Sequence, residues 1–102
     1  MIVKKQYLKS KPFCKVTFGL PAELTADART AHLVGEFNDW DVTATPMKKL
    51  KNGAFTVTLD LETGREYQFR YLIDESQWEN AWNADRFMPT PFGDSTNSVV
   101  IV

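Results

Sequence analysis

The chain has 102 residues, with 12 Lys and Arg against 13 Asp and Glu, so its formal net charge is −1. This near-neutral balance disfavours a nucleic-acid partner, which requires a concentrated basic face, and no apolar run approaches the ~20 residues of a membrane-spanning helix. A domain of this length can bury a hydrophobic core without disulfides or a structural metal. We therefore expect one domain over residues 1–102, with neither a nucleic acid nor a membrane as its partner.

The N-terminal segment and the single cysteine provide evidence on the cellular location of the protein. Cys14 has no second cysteine to pair with, which excludes an internal disulfide. The first residues lack the apolar stretch of a signal peptide. Together these features predict a cytoplasmic location. Residues 1–12 carry four lysines, and we interpret them as a basic N-terminal arm or a solvated edge rather than a phosphate-binding site.

The first predicted strand shows a clear alternation of side chains. Cys14, Val16 and Phe18 are apolar, whereas Lys15 and Thr17 between them are polar. Because successive side chains of a strand point to opposite faces, this pattern predicts a half-buried strand with the cysteine in the core.

The next two segments predict a turn of helix and a second strand. Residues 21–29 have a helical composition but are too few for an independent helix, so a loop with one helical turn is expected. A strand is predicted over residues 30–37, and Gly35 within it indicates either a bulge or a close backbone approach.

The remainder of the chain alternates between short strands and turns. The pair Asn52-Gly53 is a strong hairpin signal. Strands are predicted over residues 47–50, 55–61, 67–73 and 98–102. Residues 78–85 are expected to be irregular, and two prolines exclude residues 88–93 from a sheet interior. Short strands with frequent turns predict an all-β fold, an antiparallel β-sandwich.

No residue pattern indicates catalysis. His32 and Cys14 are single residues of their types, whereas a zinc site needs several such ligands at set spacing. The carboxylates Asp74, Glu75 and Glu79 flank a turn, where charged residues are usually solvated. The sequence therefore predicts no catalytic residue, no metal ligand, no cofactor and no enzymatic activity.

The three tryptophans are the candidate functional residues. Trp40, Trp78 and Trp82 all fall outside the alternating strands, and the Asn38-Asp39 turn places the first of them near a surface. Exposed aromatic area that packing does not need marks a binding site. The C–H faces of a pyranose ring pack on an indole, and its hydroxyls require donors and acceptors. Polar candidates for this purpose are Arg70, Asn97, Ser95 and Gln77.

Four motifs in order resemble the family 48 carbohydrate-binding modules. They are LVGEFNDWD (33–41), YQFRYLID (67–74), QW (77–78) and FGDSTNSVVIV (92–102). The family includes the glycogen-binding domain of the AMP-activated protein kinase β subunit and the N-terminal early-set domains of isoamylases, pullulanases and glycogen-branching enzymes. The resemblance covers residues 16–102 and implies an immunoglobulin-like β-sandwich of the early-set type.

The resemblance also implies the site residues. Members that bind starch or glycogen clasp an α-1,4-glucan between two tryptophans, while a basic residue and an asparagine bond the sugar hydroxyls. The FNDW motif corresponds to the first tryptophan, and QW to the second, with Trp82 as an alternative second platform. The implied carbohydrate-binding residues are Trp40, Arg70, Trp78, Asn97, Ser95 and Phe92.

Two functions remain open at this point. The first is non-catalytic binding of glycogen, starch or maltooligosaccharides, so that the partner is an α-glucan polysaccharide or oligosaccharide. The second is a protein-interaction or scaffold module of the same fold, which partners a separate glycan-processing enzyme without binding sugar itself. Many early-set domains joined to enzymes serve as packing modules, which is why the second function is kept as an alternative.

Overall fold

A computed structural model describes residues 1–90 and 95–102 of the chain. Within these ranges nine strands form two antiparallel sheets, joined by loops that include a one-turn helix α1 (Ala22–Thr25) and a 3₁₀ turn (Glu36–Asn38). The strands are β1 (Ile2–Tyr7), β2 (Phe13–Leu20), β3 (Ala31–Gly35), β4 (Lys48–Lys49), β5 (Phe55–Glu62), β6 (Glu66–Ile73), β7 (Gln77–Glu79), β8 (Arg86–Pro89) and β9 (Thr96–Ile101). The predicted all-β, immunoglobulin-like sandwich of the early-set type is confirmed.

The two sheets pair strands that are distant along the chain. One sheet has the order β1-β2-β5-β4, and the other has the order β3-β6-β9-β8, with β7 paired to β6. The long strand β6 is central to the second sheet, because Phe69 aligns with Gly35 of β3 on one side and with Ser98 of β9 on the other. β6 therefore joins β3 to β9 within the second sheet.

Aromatic rings from the inner faces of both sheets fill the core. Phe18 and Phe69 meet edge to face with ring centroids 5.1 Å apart, and Phe69 and Tyr71 do the same at 5.7 Å. All three rings are fully buried. Cys14 is also fully buried, as expected of a small core residue.

Alternation along β6 decides which side chains reach the outer face of its sheet. Tyr67, Phe69 and Tyr71 point into the core, whereas Gln68 and Arg70 between them are only partly buried. The predicted outward orientation of Arg70 agrees with this arrangement. The outer face of the five-stranded sheet therefore carries polar side chains at its centre.

The second strand ends earlier than predicted. It was expected over residues 30–37, but β3 stops at Gly35 and the chain continues into the 3₁₀ turn. A Cβ atom at Gly35 would lie 2.5 Å from the backbone oxygen of Gln68 and 2.8 Å from Cβ of Phe69. Gly35 thus marks a close backbone approach, one of the two alternatives that the sequence left open.

Three segments at the edges of the sheets, β1, β7 and β8, either differ from the structure that the sequence predicted or define it more closely. The lysine-rich start forms β1, an edge strand, and Lys5 Nζ lies 2.6 Å from Asp85 Oδ2. Part of the segment expected to be irregular is the strand β7, which pairs with β6. Pro89 ends β8, which is the edge strand of the second sheet on the side away from β3. An edge strand tolerates the missing backbone donor of a proline. In neither described range is there a helix long and apolar enough to span a membrane.

Candidate functional site

A groove of about 460 Å³ opens on the outer face of the five-stranded sheet. It brings together five of the six residues that the sequence predicted for a binding site. They are Trp40, Arg70, Trp78, Ser95 and Asn97. The sixth, Phe92, lies outside the described residues.

Trp40 reaches the groove through an unusual turn. Asp39 and Trp40 both have left-handed backbone conformations, with φ of 55° and 58°, and the N–H of Asp41 donates a 3.1 Å hydrogen bond to the carbonyl of Asn38. Two successive left-handed residues define a type I′ turn, which strongly prefers Asn-Gly or Asp-Gly. A tryptophan in the glycine position is strained, and Trp40 as a residue is 38% exposed.

The side chain of Asn38 holds this turn against β3. Its Oδ1 accepts a 3.1 Å hydrogen bond from the N–H of Gly35, and its Nδ2 donates to the Leu33 carbonyl and to Thr45 Oγ1, both at 2.9 Å. Two of these bonds satisfy backbone groups of β3, and the third ties the turn to Thr45. The asparagine thus fixes the direction in which Trp40 leaves the strand.

Trp78 reaches the groove from the short hairpin between β6 and β7. It aligns with Leu72 across the strand pair and is 44% exposed. The connecting turn again contains two left-handed residues, Asp74 and Glu75, with φ of 50° and 63°. Each of the two tryptophans therefore lies in or just after a turn in which non-glycine residues adopt left-handed conformations.

The turn before Trp78 is tied to the rest of the domain by a carboxylate. Asp74 Oδ1 accepts hydrogen bonds from the N–H groups of Arg29 at 2.8 Å and Thr30 at 3.0 Å. The bonds from Thr30 and then Arg29 lower the pKa of Asp74, because they stabilise the ionised carboxylate. The hairpin is consequently held to the segment that leads into β3.

A chain of hydrogen bonds forms the polar floor of the groove. Arg70 donates from Nε to Asn97 Oδ1 at 2.7 Å and from Nη2 to the Thr96 carbonyl at 2.8 Å. Asn97 in turn donates from Nδ2 to Gln68 Oε1 at 3.0 Å. Since each member orients the next, the three side chains present their remaining polar atoms in fixed directions.

Thr90 and Ser95 form the rim of the groove beyond β8 and β9. Their hydroxyl oxygens are 3.0 Å apart, and the N–H of Thr90 donates to the Ser95 carbonyl at 3.0 Å. This pairing brings the two ends of the connecting segment together. Ser95 thereby lines the groove.

Trp82 and Gln77, the other two candidates, lie elsewhere. The indole of Trp82 is 64% exposed but does not line the groove, and its backbone N–H contacts Met1 Sδ at 3.0 Å. Gln77 donates to Glu79 Oε1 at 2.9 Å. Of the two alternatives for a second platform, the structure therefore places Trp78 in the same groove as Trp40.

Three groove residues were missed in the sequence. They are Glu36, Gln68 and Thr90. Gln68 could have been found, because it lies two residues before Arg70 on the same face of a strand. Glu36 and Thr90 follow the ends of β3 and β8, where the direction of a side chain depends on turn geometry rather than on alternation.

The chemistry available in the groove is stacking and hydrogen bonding. In the described part of the chain no group of three or more His, Cys, Asp or Glu side chains is arranged to hold a metal ion. His32 lies outside the groove, half-buried on β3, and its buried Nδ1 has no hydrogen-bond partner among the residues that the structure describes. Two exposed indoles and a fixed set of polar atoms are what the groove offers to a ligand.

The family comparison covers most of this region. The family model of Carbohydrate-binding module 48 (Isoamylase N-terminal domain) matches residues 22–87. The matched range exceeds half of the chain and contains both Trp40 and Trp78. No curated protein sequence gave a match.

Proposed function

The chain belongs to the carbohydrate-binding module 48 family, and on this basis we propose that it binds α-1,4-glucans such as glycogen, starch and maltooligosaccharides without catalysing their cleavage. Trp40 and Trp78 stack on glucose rings. Arg70 and Asn97 bond their hydroxyls, and Ser95 and Phe92 are the further contacts that the family resemblance implies. The family match supports carbohydrate binding in general, and the groove supports the narrower proposal.

The observation that carries the proposal is the placement of two exposed indoles in one groove. A buried tryptophan would be explained by packing alone, but these two residues are 38% and 44% exposed. Aromatic surface that the core does not need is a mark of binding. An α-1,4-linked glucan is curved and presents the C–H faces of successive rings, so two separate platforms suit it.

Backbone strain at Trp40 supports the same conclusion. A left-handed conformation costs an L-residue roughly 1–2 kcal/mol, and glycine would avoid this cost at φ 58°. Residues held in strained conformations cluster at functional sites. The indole thus stands where stability alone favours a glycine, which fits a role in ligand binding.

The polar floor suits an uncharged ligand that is rich in hydroxyls. Arg70 uses Nε and Nη2 within the protein, and Asn97 uses both atoms of its amide in bonds to neighbours. The asparagine oxygen retains acceptor capacity, and Arg70 retains unshared N–H groups. Few contacts are available in so open a site, so we expect dissociation constants of about micromolar to millimolar.

A second candidate function rests on apolar surface outside the groove. Trp82 is 64% exposed and Phe87 is 44% exposed, and neither lines the groove. A scaffold module that docks on a glycan-processing enzyme would use such residues. In that case Trp82→Ala would weaken the enzyme complex, and Trp40→Ala would leave it intact.

The proposal is tested by co-sedimentation with glycogen. The wild type should sediment with the polysaccharide and be released by β-cyclodextrin. Trp40→Ala and Trp78→Ala should remain in the supernatant, whereas Trp82→Ala, matched in residue type and more exposed, should behave as the wild type. If the wild type stays in the supernatant with glycogen and with soluble starch, glucan binding is not the function.

A further inference from the structure

We infer that Gln68 and Glu36 form a second hydroxyl-binding pair in the groove, beside the set built on Arg70 and Asn97. The inference rests on the proposed function and identifies two further residues that contact the glucan. The evidence consists of the hydrogen bonds that hold these two side chains and of the polar atoms that those hydrogen bonds leave available to a ligand.

The amide of Gln68 has a defined orientation. Its Oε1 accepts the 3.0 Å hydrogen bond from Asn97 Nδ2, which requires the oxygen rather than the nitrogen on that side. Gln68 Nε2 has no hydrogen-bond partner among residues 1–90 and 95–102. The side chain lines the groove and therefore presents two N–H donors to a ligand.

Glu36 is anchored to the same residue through the backbone. Its Oε1 accepts a 2.6 Å hydrogen bond from the N–H of Gln68, at the point where β3 has ended and no longer pairs with β6. Within the described ranges the second oxygen, Oε2, has no partner. Glu36 also lines the groove, so the groove contains an anchored carboxylate with one free acceptor as well as the free donors of Gln68.

A donor and an acceptor on adjoining side chains match the chemistry of a sugar. Neighbouring hydroxyls of a glucose unit can each donate and accept, so one can accept from Gln68 while the other donates to Glu36. A hydrogen bond to an ionised group is stronger than one between neutral groups. Since both side chains are already held by the protein, a ligand need not order them before it binds.

Two isosteric substitutions change the free atoms and keep the anchors. In Glu36→Gln the amide oxygen can still accept from the N–H of Gln68, while an NH₂ group replaces the free oxygen. In Gln68→Glu one oxygen can still accept from Asn97, while the other replaces the free NH₂ group. Glu23→Gln on α1 is the matched control, because that glutamate is exposed and lies outside the groove.

The test is calorimetric titration with maltoheptaose of the wild type, both single variants, the double variant and the control. Each single substitution should weaken binding about fivefold to tenfold, which is the effect of one lost hydrogen bond. The double variant Glu36→Gln with Gln68→Glu restores one donor and one acceptor in exchanged positions. It should therefore bind more tightly than either single variant, while Glu23→Gln binds as the wild type.

The outcomes separate this inference from the proposed function. If the wild type binds maltoheptaose and Glu36→Gln binds equally well, the inference is wrong and the proposed function stands. If the double variant is as weak as the two losses combined, the paired arrangement is wrong. If the wild type binds no glucan, the proposed function itself fails. Circular dichroism and thermal melting of each variant show whether a loss of binding comes from a loss of fold.

Discussion

Arg70 and Asn97 are 27 residues apart in sequence, yet Nε of the arginine donates a 2.7 Å hydrogen bond to Oδ1 of the asparagine. The bond joins β6 to β9 on the outer face of the sheet, in the groove that Trp40 and Trp78 also line. Because Asn97 also donates to Gln68, one asparagine orients both polar neighbours. Removing it should disturb the floor of the groove as a unit.

Asn97→Ala tests this unit directly. We expect maltoheptaose affinity to fall about tenfold or more and the free energy of unfolding to fall by about 1 kcal/mol, since Arg70 Nε and Gln68 Oε1 lose their partner. Calorimetric titration and urea denaturation measure the two effects. Gln77→Ala is the control, because that side chain lies outside the groove and bonds Glu79. Equal affinities of Asn97→Ala and the wild type would contradict the role of this network.

Glycine and alanine at position 40 should differ in stability. The backbone of Trp40 is left-handed, with φ of 58°, so Trp40→Gly should be more stable to urea than Trp40→Ala by about 1 kcal/mol. Both variants should lose glucan binding equally. The choice between glycine and alanine at position 40 should thus change the stability of the protein without changing its loss of glucan binding.

Trp78 provides the matched control for that comparison, because it lies in an extended strand. There the order should reverse, and Trp78→Ala should be more stable than Trp78→Gly by about 0.5–1 kcal/mol. If alanine were more stable than glycine at position 40 as well as at position 78, the left-handed conformation at Trp40 would carry no strain.

Asp74 should make stability depend on pH in the acid range. Its pKa in the folded state is lowered by hydrogen bonds from the N–H groups of Thr30 and Arg29, whereas the unfolded chain has the ordinary value of about 4. The ionised carboxylate therefore stabilises the fold above pH ~4, and this contribution is lost as pH falls through the lowered pKa.

Asp74→Asn provides the comparison for that pH dependence. Asparagine also tolerates the left-handed conformation and keeps an acceptor oxygen. We expect the variant to be less stable than the wild type at pH 7, and the difference to shrink as the pH falls toward 2. Urea denaturation at several pH values measures it. A difference that does not change with pH would show that the charge of Asp74 is unimportant.

Gly35→Ala should be strongly destabilising. The added Cβ would meet the Gln68 carbonyl oxygen at 2.5 Å and Phe69 Cβ at 2.8 Å, so the backbones of β3 and β6 must separate, at a cost of about 1–3 kcal/mol or more. Gly64→Ala is the control, since no atom of residues 1–90 or 95–102 lies within 4 Å of the added Cβ and the left-handed φ of 76° is what opposes the substitution. A smaller loss of unfolding free energy in Gly35→Ala than in Gly64→Ala would contradict the close approach.

Alternation along the chain was enough to predict the strands that form the core. β2, β5 and β6 follow a period of two, because one face of each meets the other sheet. The same rule gave the outward direction of Arg70. The FNDW and QW motifs gave Trp40 and Trp78, and the tight turns at Asp39 and Asp74 explain why both indoles leave the core.

The parts that escaped prediction depend on contacts between distant segments. β1 was interpreted as an arm or edge because its lysines hide the pairing with β2, and β7 is only three residues long. Glu36 enters the groove because Gly35 ends β3, and its carboxylate then bonds the backbone of Gln68. The sequence contains each residue, but only the fold shows that they share one groove.

The most direct test of the account is titration of the wild type with maltoheptaose, in which calorimetry and tryptophan fluorescence measure the binding. We expect saturable binding with a dissociation constant of about micromolar to millimolar, a change in indole emission, and loss of both signals in Trp40→Ala and in Trp78→Ala but not in Trp82→Ala. Unchanged emission and no heat at millimolar maltoheptaose, or equal binding by the wild type and by both groove variants, would contradict the claim that the two indoles clasp a glucan.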